Sequence, residues 1–145
     1  MEMEKMTTTM QSSLAEAQQV AITRHHQEID IAHLWKIFMQ PNHFARNLYK
    51  DAGIDVDEFE REVDRLLDEL PVVEGNQVNY GQTMSQNLYR LLTEADQIRD
   101  SFQDDYLSTE IVLLALMKLK HYPLTEYLNK HQVTEKQLRT AIEEM

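Results

Sequence analysis

The 145-residue chain has no cysteine. That excludes disulfide frameworks, thiol nucleophiles and thiolate metal sites, and it agrees with a reducing compartment. Three glycines (Gly53, Gly75, Gly81) and three prolines (Pro41, Pro71, Pro123) are all that punctuate it, so helices with short connections are expected. No G-x-x-x-x-G-K-[ST] phosphate loop occurs, and three scattered glycines cannot build one. ATP hydrolysis by this chain is therefore not expected. No apolar run approaches the ~18 residues of a membrane span, and no signal-peptide core is present, so a soluble, cytoplasmic chain with no membrane partner is expected. Basic residues are few and scattered: 14 Lys and Arg stand against 25 Asp and Glu, a net charge of −11. Phosphate backbones need a clustered basic face, so a nucleic-acid partner, including a helix-turn-helix mode, is disfavoured.

What is present is organised around Asp104-Asp105-Tyr106-Leu107-Ser108-Thr109-Glu110 and the apolar run Ile111 to Met117 behind it. An unbroken apolar run lacks the polar face of a surface helix and predicts a helix buried on all sides. Ser108 is placed to cap it, and Glu110 puts negative charge at the positive end of the helix dipole. The same pattern occurs earlier, from Gln27 to Met39, with Asp30 as the capping residue. An offset of 78 residues aligns Glu16-Ala17 with Glu94-Ala95, Val20 with Ile98, Ile29 with Leu107, Asp30 with Ser108 and Met39 with Met117. An offset of 79 then aligns Ile54 with Val133, Phe59 with Leu138 and Val63 with Ile142. The chain is an internal duplication.

The expected fold is all-α: eight short helices as two tandem four-helix repeats related by a pseudo-twofold axis. Residues Met1 to Lys5 read as a frayed lead-in. Met6, Met10, Leu14, Ala17 and Ala21 mark the inner face of the first helix. Arg24 to Gln27 reads as a loop, Ile31 to Met39 as the first core helix, and Phe44 to Ala52 as a third helix closed by Gly53. A fourth, capped by Asp55, buries Val56, Phe59, Val63, Leu66, Leu67 and Leu70 before Pro71 stops it. Repeat one thus spans about 5–70, a linker 71–83, and repeat two about 84–145. The second repeat opens with Met84, Leu88, Leu91, Leu92, Ala95 and Ile98 at helical spacing. After the core helix, a short helix runs from about Leu124 to Lys130 and a last one from Thr134, with Leu138, Ala141 and Ile142 inward. Neither repeat alone can close a core, so one domain over 1–145 is expected.

Four stretches carry a resemblance: Lys5-Met6-Thr7-Thr8, Leu14-Ala15-Glu16-Ala17-Gln18, Leu70-Pro71-Val72-Val73-Glu74-Gly75 and Asp105-Tyr106-Leu107-Ser108-Thr109-Glu110. In this order they resemble the Clp N-terminal domain, the double repeat at the front of Clp-family AAA+ unfoldases, and within it the ClpB-type disaggregases. The resemblance implies a substrate-recruiting domain of a longer ATP-dependent chaperone, binding exposed apolar segments of unfolded or aggregated client proteins. It further implies an ATPase ring, in a homohexamer, that uses ATP and magnesium in domains absent here, and a DnaK-type chaperone system as partner. No cofactor is expected in this domain. The ClpC-type unfoldases, which dock adaptors and feed a protease, are the alternative. Those carry a Thr-Glu-His-type helix start in both repeats. Here repeat one reads Ile31-Ala32-His33, without the glutamate.

The resemblance implicates Thr7, Asp104 and Glu110 in handling client polypeptide. A plainer reading makes Thr7 a helix cap and Glu110 a helix-start charge worth ~0.3–1 kcal/mol. Met10, Leu14, Tyr89, Leu92 and Ile111 are candidates for the apolar floor of a groove, with Tyr89 offset from the inner face of its helix. Methionine suits a promiscuous surface, although a methionine stripe at helical spacing is more often core. The histidines at 25, 26, 33, 43, 121 and 131 include no H-E-x-x-H or similar ligand pair, so no metal site is expected. Asp104, Asp105 and Glu110 lack a nucleophile or electrophile beside them, so catalysis is not expected either.

Overall fold

The computed structural model describes residues 3–144. Its helices are α1 (Thr8–Thr23), α2 (Ile31–Phe38), α3 (Phe44–Asp51), α4 (Val56–Glu69), α5 (Gln86–Ser101), α6 (Thr109–Leu116), α7 (Pro123–Lys130) and α8 (Glu135–Glu143). The all-α architecture of two four-helix repeats is therefore the observed one. Two additions are a 3-10 turn at Met3–Lys5, within the segment expected to fray, and a parallel pair of two-residue strands, β1 (Glu28–Ile29) and β2 (Thr83–Met84). Met1 and Glu2, the rest of the expected lead-in, lie outside the described residues.

Helix starts follow the local chemistry of the sequence. Thr7, Asp55, Ser85, Ser108 and Thr134 each accept a hydrogen bond from a free backbone N–H of the helix that follows. Such a cap satisfies donors that have no partner within the helix. Pro123 occupies the first turn of α7, where its missing N–H costs nothing.

The duplication extends to backbone conformation. His25 and Gln103 both adopt positive φ (60° and 58°), as do Asn42 and His121 (70° each) and Gly53 and Gln132 (98° and 68°). The first pair is 78 residues apart and the other two 79, so the extra residue of offset enters in the turn after each core helix. His25, Gly53, Gln103 and Gln132 each follow a helix C-cap directly, whereas Asn42 and His121 lie in the turns after the core helices. Only one of these six is glycine; the turn is kept where the residue favouring it is not.

The two core helices lie at the centre. Within repeat one α2 packs on α1 and α4, and within repeat two α6 packs on α5 and α8. Contacts of α2 with α5, of α3 with α6 and α8, and of α4 with α7 join the repeats. One hydrophobic cluster runs through both and includes Trp35, Phe38, Tyr49 and Phe59 from the first repeat and Leu113, Leu116, Leu128 and Leu138 from the second. Trp35 donates its indole N–H to the Tyr49 hydroxyl at 3.0 Å, which satisfies both buried polar atoms.

Short backbone pairings tie each repeat to the start of the other. β1 precedes α2 and pairs with β2, which precedes α5, in the register Ile29 opposite Met84. The equivalent residues of the other half, Met6 and Leu107, form an isolated parallel bridge. Met84 accordingly lies outside the α5 face on which periodicity places it; it sits in β2 with 38% of its surface exposed. The linker is also docked. Gln18 donates to Gly81 O at 2.7 Å, Tyr80 donates to Val73 O at 2.5 Å, and the Tyr80 ring stacks on His25 at 4.6 Å.

Candidate functional site

Two pseudo-equivalent sites are built where the helix starts of opposite repeats meet. At the first, the Thr7 N–H donates to Leu107 O at 3.0 Å and the Leu107 N–H donates to Lys5 O at 2.8 Å. These bonds set the start of α1 beside the start of α6. Thr7 caps α1 through Met10 N at 3.1 Å, and Ser108 caps α6 through Ile111 N at 3.4 Å. Glu110 is half-buried in the first turn of α6. Asp104 is exposed on the loop leading to Leu107, held by Arg99, whose guanidinium donates to Asp104 O at 2.7 Å. Thr7, Asp104 and Glu110 thus belong to the two segments that meet at the Met6–Leu107 bridge. A hydroxyl and two carboxylates can accept N–H groups of an extended chain, but the constellation contains no nucleophile activated by a base.

The apolar candidates divide. Met10, Leu14, Leu92 and Ile111 are buried in the common core, so the expectation that they present an exposed floor is not met as the chain stands. A stripe at helical spacing has here been used for packing. Tyr89 is 63% exposed, but it lies one turn after Ser85, and the Ser85 N–H is bound to Ile29 O at 2.9 Å. It therefore belongs to the β1–β2 end. The apolar surface beside Leu107 comes from Tyr106, 57% exposed, a residue that the sequence reading passed over. Its position next to a bridging residue of period-two backbone was the available signal.

At the second site, shifting by the repeat offset, Ser85 stands for Thr7, Asp30 for Ser108, His26 for Asp104 and His33 for Ile111. The Ser85 hydroxyl donates to Asp30 Oδ1 at 2.6 Å and accepts from Leu88 N at 3.0 Å. His33, at the third position of α2, accepts the Asp30 N–H on Nδ1 at 2.8 Å. It thereby fills the role of the glutamate or glutamine of a capping box. That bond fixes the ring's tautomer: Nδ1 must carry the lone pair, so Nε2 carries the hydrogen. His33 Nε2–H then donates to His26 Nδ1 at 2.8 Å, which leaves the His26 hydrogen on Nε2. Adding a proton to either ring would set two N–H groups against each other.

Both rings are held below the ordinary histidine range. For His33 the shift is to about 4, through burial first and the neighbouring His26 next, with Asp30 opposing. For His26 burial leads and Arg24 adds to it, again against Asp30. A cavity of ≈350 Å³ opens beside this pair, walled by His26, Asp30, Ser85 and Asn87 and by the linker residues Leu70 and Val73. From the sequence His33 reads as a helix-start residue with a local hydrogen bond, and its bond from the Asp30 N–H is that contact. Its link to His26, seven residues away, leaves no sequence pattern.

Among the described residues no group of three or more His, Asp or Glu side chains could hold a metal ion, and no helix is long and apolar enough to cross a membrane.

Comparison with known proteins gives a consistent set of matches. Residues 5–131 match the family model of the Clp repeat (R) N-terminal domain. Chaperone protein ClpB of Enterococcus faecalis is 69% identical over the whole chain, and that of Lactococcus lactis subsp. cremoris 52%. In both cases the chain spans only 17% of the relative's length. Among solved structures, the N-domain of ClpV from Vibrio cholerae superposes with a TM-score of 0.77 at 18% identity, covering 97% of this chain and 84% of that one. The Hsp104 N-terminal domain from Candida albicans gives 0.71 at 22% identity, covering 89% and 83%. A complex of the ClpV N-domain with a VipB peptide gives 0.73 at 20% identity, covering 94% and 83%.

Proposed function

The chain belongs to the Clp repeat N-terminal domain family, and from that premise we propose that it recruits substrate for a ClpB-type ATP-dependent disaggregase. It binds exposed apolar segments of unfolded or aggregated proteins and passes them to an ATPase ring formed by the rest of a longer chain. The ring is a homohexamer using ATP and magnesium and works with a DnaK-type chaperone system in the cytoplasm. Identity of 69% to a ClpB sets this reading ahead of adaptor docking for a protease-linked unfoldase.

One observation carries the site assignment: the 3.0 Å bond from Thr7 N to Leu107 O, which brings the polar starts of α1 and α6 together. Thr7, Asp104 and Glu110 form the polar rim, and Tyr106 supplies apolar contact. Met10, Leu14 and Ile111 are buried in the same two helices, α1 and α6, while Leu92 is buried in α5. Binding is weak, because ordering a flexible client opposes what a small surface contributes. The peptide held by a ClpV N-domain supports the reading that this fold takes extended or short segments.

An NMR titration of the chain with a permanently unfolded protein tests the assignment. Shifts should centre on Thr7, Asp104, Tyr106 and Glu110. Shifts confined to α8 would overturn it. In the full-length chaperone, Thr7→Ala and Glu110→Ala should lower disaggregation while the domain stays folded.

A further inference from the structure

The cavity at the second site is not part of the surface just described, and its chemistry is unlike that of its pseudo-symmetric mate. His26 is only 3% exposed and lines the cavity. Its Nδ1 is committed to His33, and among the described residues nothing accepts from its Nε2. With so little of the residue exposed, the cavity is the open space that its ring borders. A nearly buried ring, with one nitrogen unpaired among the described residues, therefore stands at the cavity wall. An acceptor in the cavity would give that donor the hydrogen bond it lacks. Asp30 lies on the same wall, and its carboxylate retains acceptor capacity beyond the Ser85 hydroxyl and the capping-box N–H of His33.

The donor and acceptor together narrow the occupant. No lysine or arginine lines the cavity, while Glu28 and Asp30 do, so a phosphate or carboxylate is repelled. A metal ion would need the lone pair of His26 Nε2, which the hydrogen-bond chain from the Asp30 N–H through His33 fills with a proton. What matches is a group offering one acceptor and one donor without charge, which is an amide. Leu70 and Val73 give the opposite wall an apolar surface, and ≈350 Å³ falls within the roughly 300–1,000 Å³ of small-ligand clefts.

We propose that this cavity is a second binding subsite, taking one peptide group and an adjoining apolar side chain of an extended, uncharged polypeptide segment. His26 Nε2–H donates to the peptide carbonyl and the Asp30 carboxylate accepts the peptide N–H. The inference rests on the reading that the domain engages extended polypeptide, but it concerns a different surface and different residues. His33 does not touch the occupant; it is a positioning residue that fixes which nitrogen of His26 carries the hydrogen.

The test is a titration of the chain with the blocked tripeptide acetyl-Gly-Leu-Gly-amide, followed by backbone and imidazole ¹⁵N NMR. Saturating shifts are expected at His26, Val73, Ser85 and Asn87, with slowed solvent exchange of the His26 Nε2–H. Val73→Glu, which puts a carboxylate on the apolar wall, should weaken binding at least tenfold. His26→Phe, which keeps an aromatic ring but removes the donor, should weaken binding likewise if it folds. Absence of saturating shifts at these residues, or shifts that survive Val73→Glu, would overturn the proposal. Tripeptide shifts confined to Thr7, Asp104 and Glu110 would overturn it and leave the recruiting site standing. Shifts confined to the cavity, with none at the Thr7 rim for either the tripeptide or the unfolded protein, would support it and remove that site instead.

Discussion

Thr7 and Ser85, 78 residues apart, hold the same position in opposite halves of the fold. Each caps its own helix through the side chain and donates its backbone N–H to the residue before the other pair's capped core helix. The bonds are Thr7 N to Leu107 O at 3.0 Å and Ser85 N to Ile29 O at 2.9 Å. The repeats are thereby cross-tied at both ends of the pseudo-twofold relation, and the two polar sites arise at those ties.

Such cross-tying predicts one cooperative unit. Leu113 is fully buried in α6 within the cluster shared by both repeats, so Leu113→Ala should destabilise the whole chain by ~2–5 kcal/mol. Calorimetry should show a single transition whose calorimetric and van't Hoff enthalpies agree. Two separated transitions, one per repeat, would contradict the shared core.

Stability should also fall on mild acidification. His33 is held at about 4 in the folded chain against an ordinary value of 6.5, so the unfolded chain binds its proton first. The stabilisation is therefore complete above about 6.5 and is lost as pH falls towards 4, amounting to on the order of 3 kcal/mol. His26, lowered as well, acts in the same direction. His33→Gln can keep the capping box, as Gln137 does for Thr134 in α8, and should flatten the pH dependence between 6.5 and 4. Urea midpoints across that range would measure it; an unchanged slope in His33→Gln would sink the assignment.

The linker should resist substitution at Gly81. There φ is +63°, and an added methyl would come within 3.1 Å of both Gln18 O and Ile22 Cγ1. Gly81→Ala should cost roughly 1–3 kcal/mol through backbone strain, whereas Gly53→Ala meets no atom within 4 Å and carries only the strain of its φ. A smaller loss at Gly81 than at Gly53 in denaturant titrations would contradict the docked linker.

Tyr49→Phe removes the acceptor of the Trp35 indole N–H while keeping the ring. The N–H left unpaired in the core should cost about 1–3 kcal/mol. Trp35 is the sole tryptophan, so its fluorescence reports both the local change and the unfolding midpoint.

The sequence by itself determined the helices, their caps and the duplication, because all three are local or periodic. Apolar spacing at 3.6 residues, the capping residues Thr7, Asp55 and Ser108, and a fixed offset are properties of neighbours along the chain. Only the tertiary structure decided which ends meet. β1 and β2 are two residues each, too short to leave a pattern, and Met6 finds Leu107 across 101 positions of sequence. The same holds for burial: helical spacing favours a core role for Met10, Leu14, Leu92 and Ile111, but only the helices packed over them exclude a groove floor. His33 acquired its role in the same way. A histidine at a helix start says nothing of its tautomer until the Asp30 N–H on one side and His26 on the other fix where the proton sits.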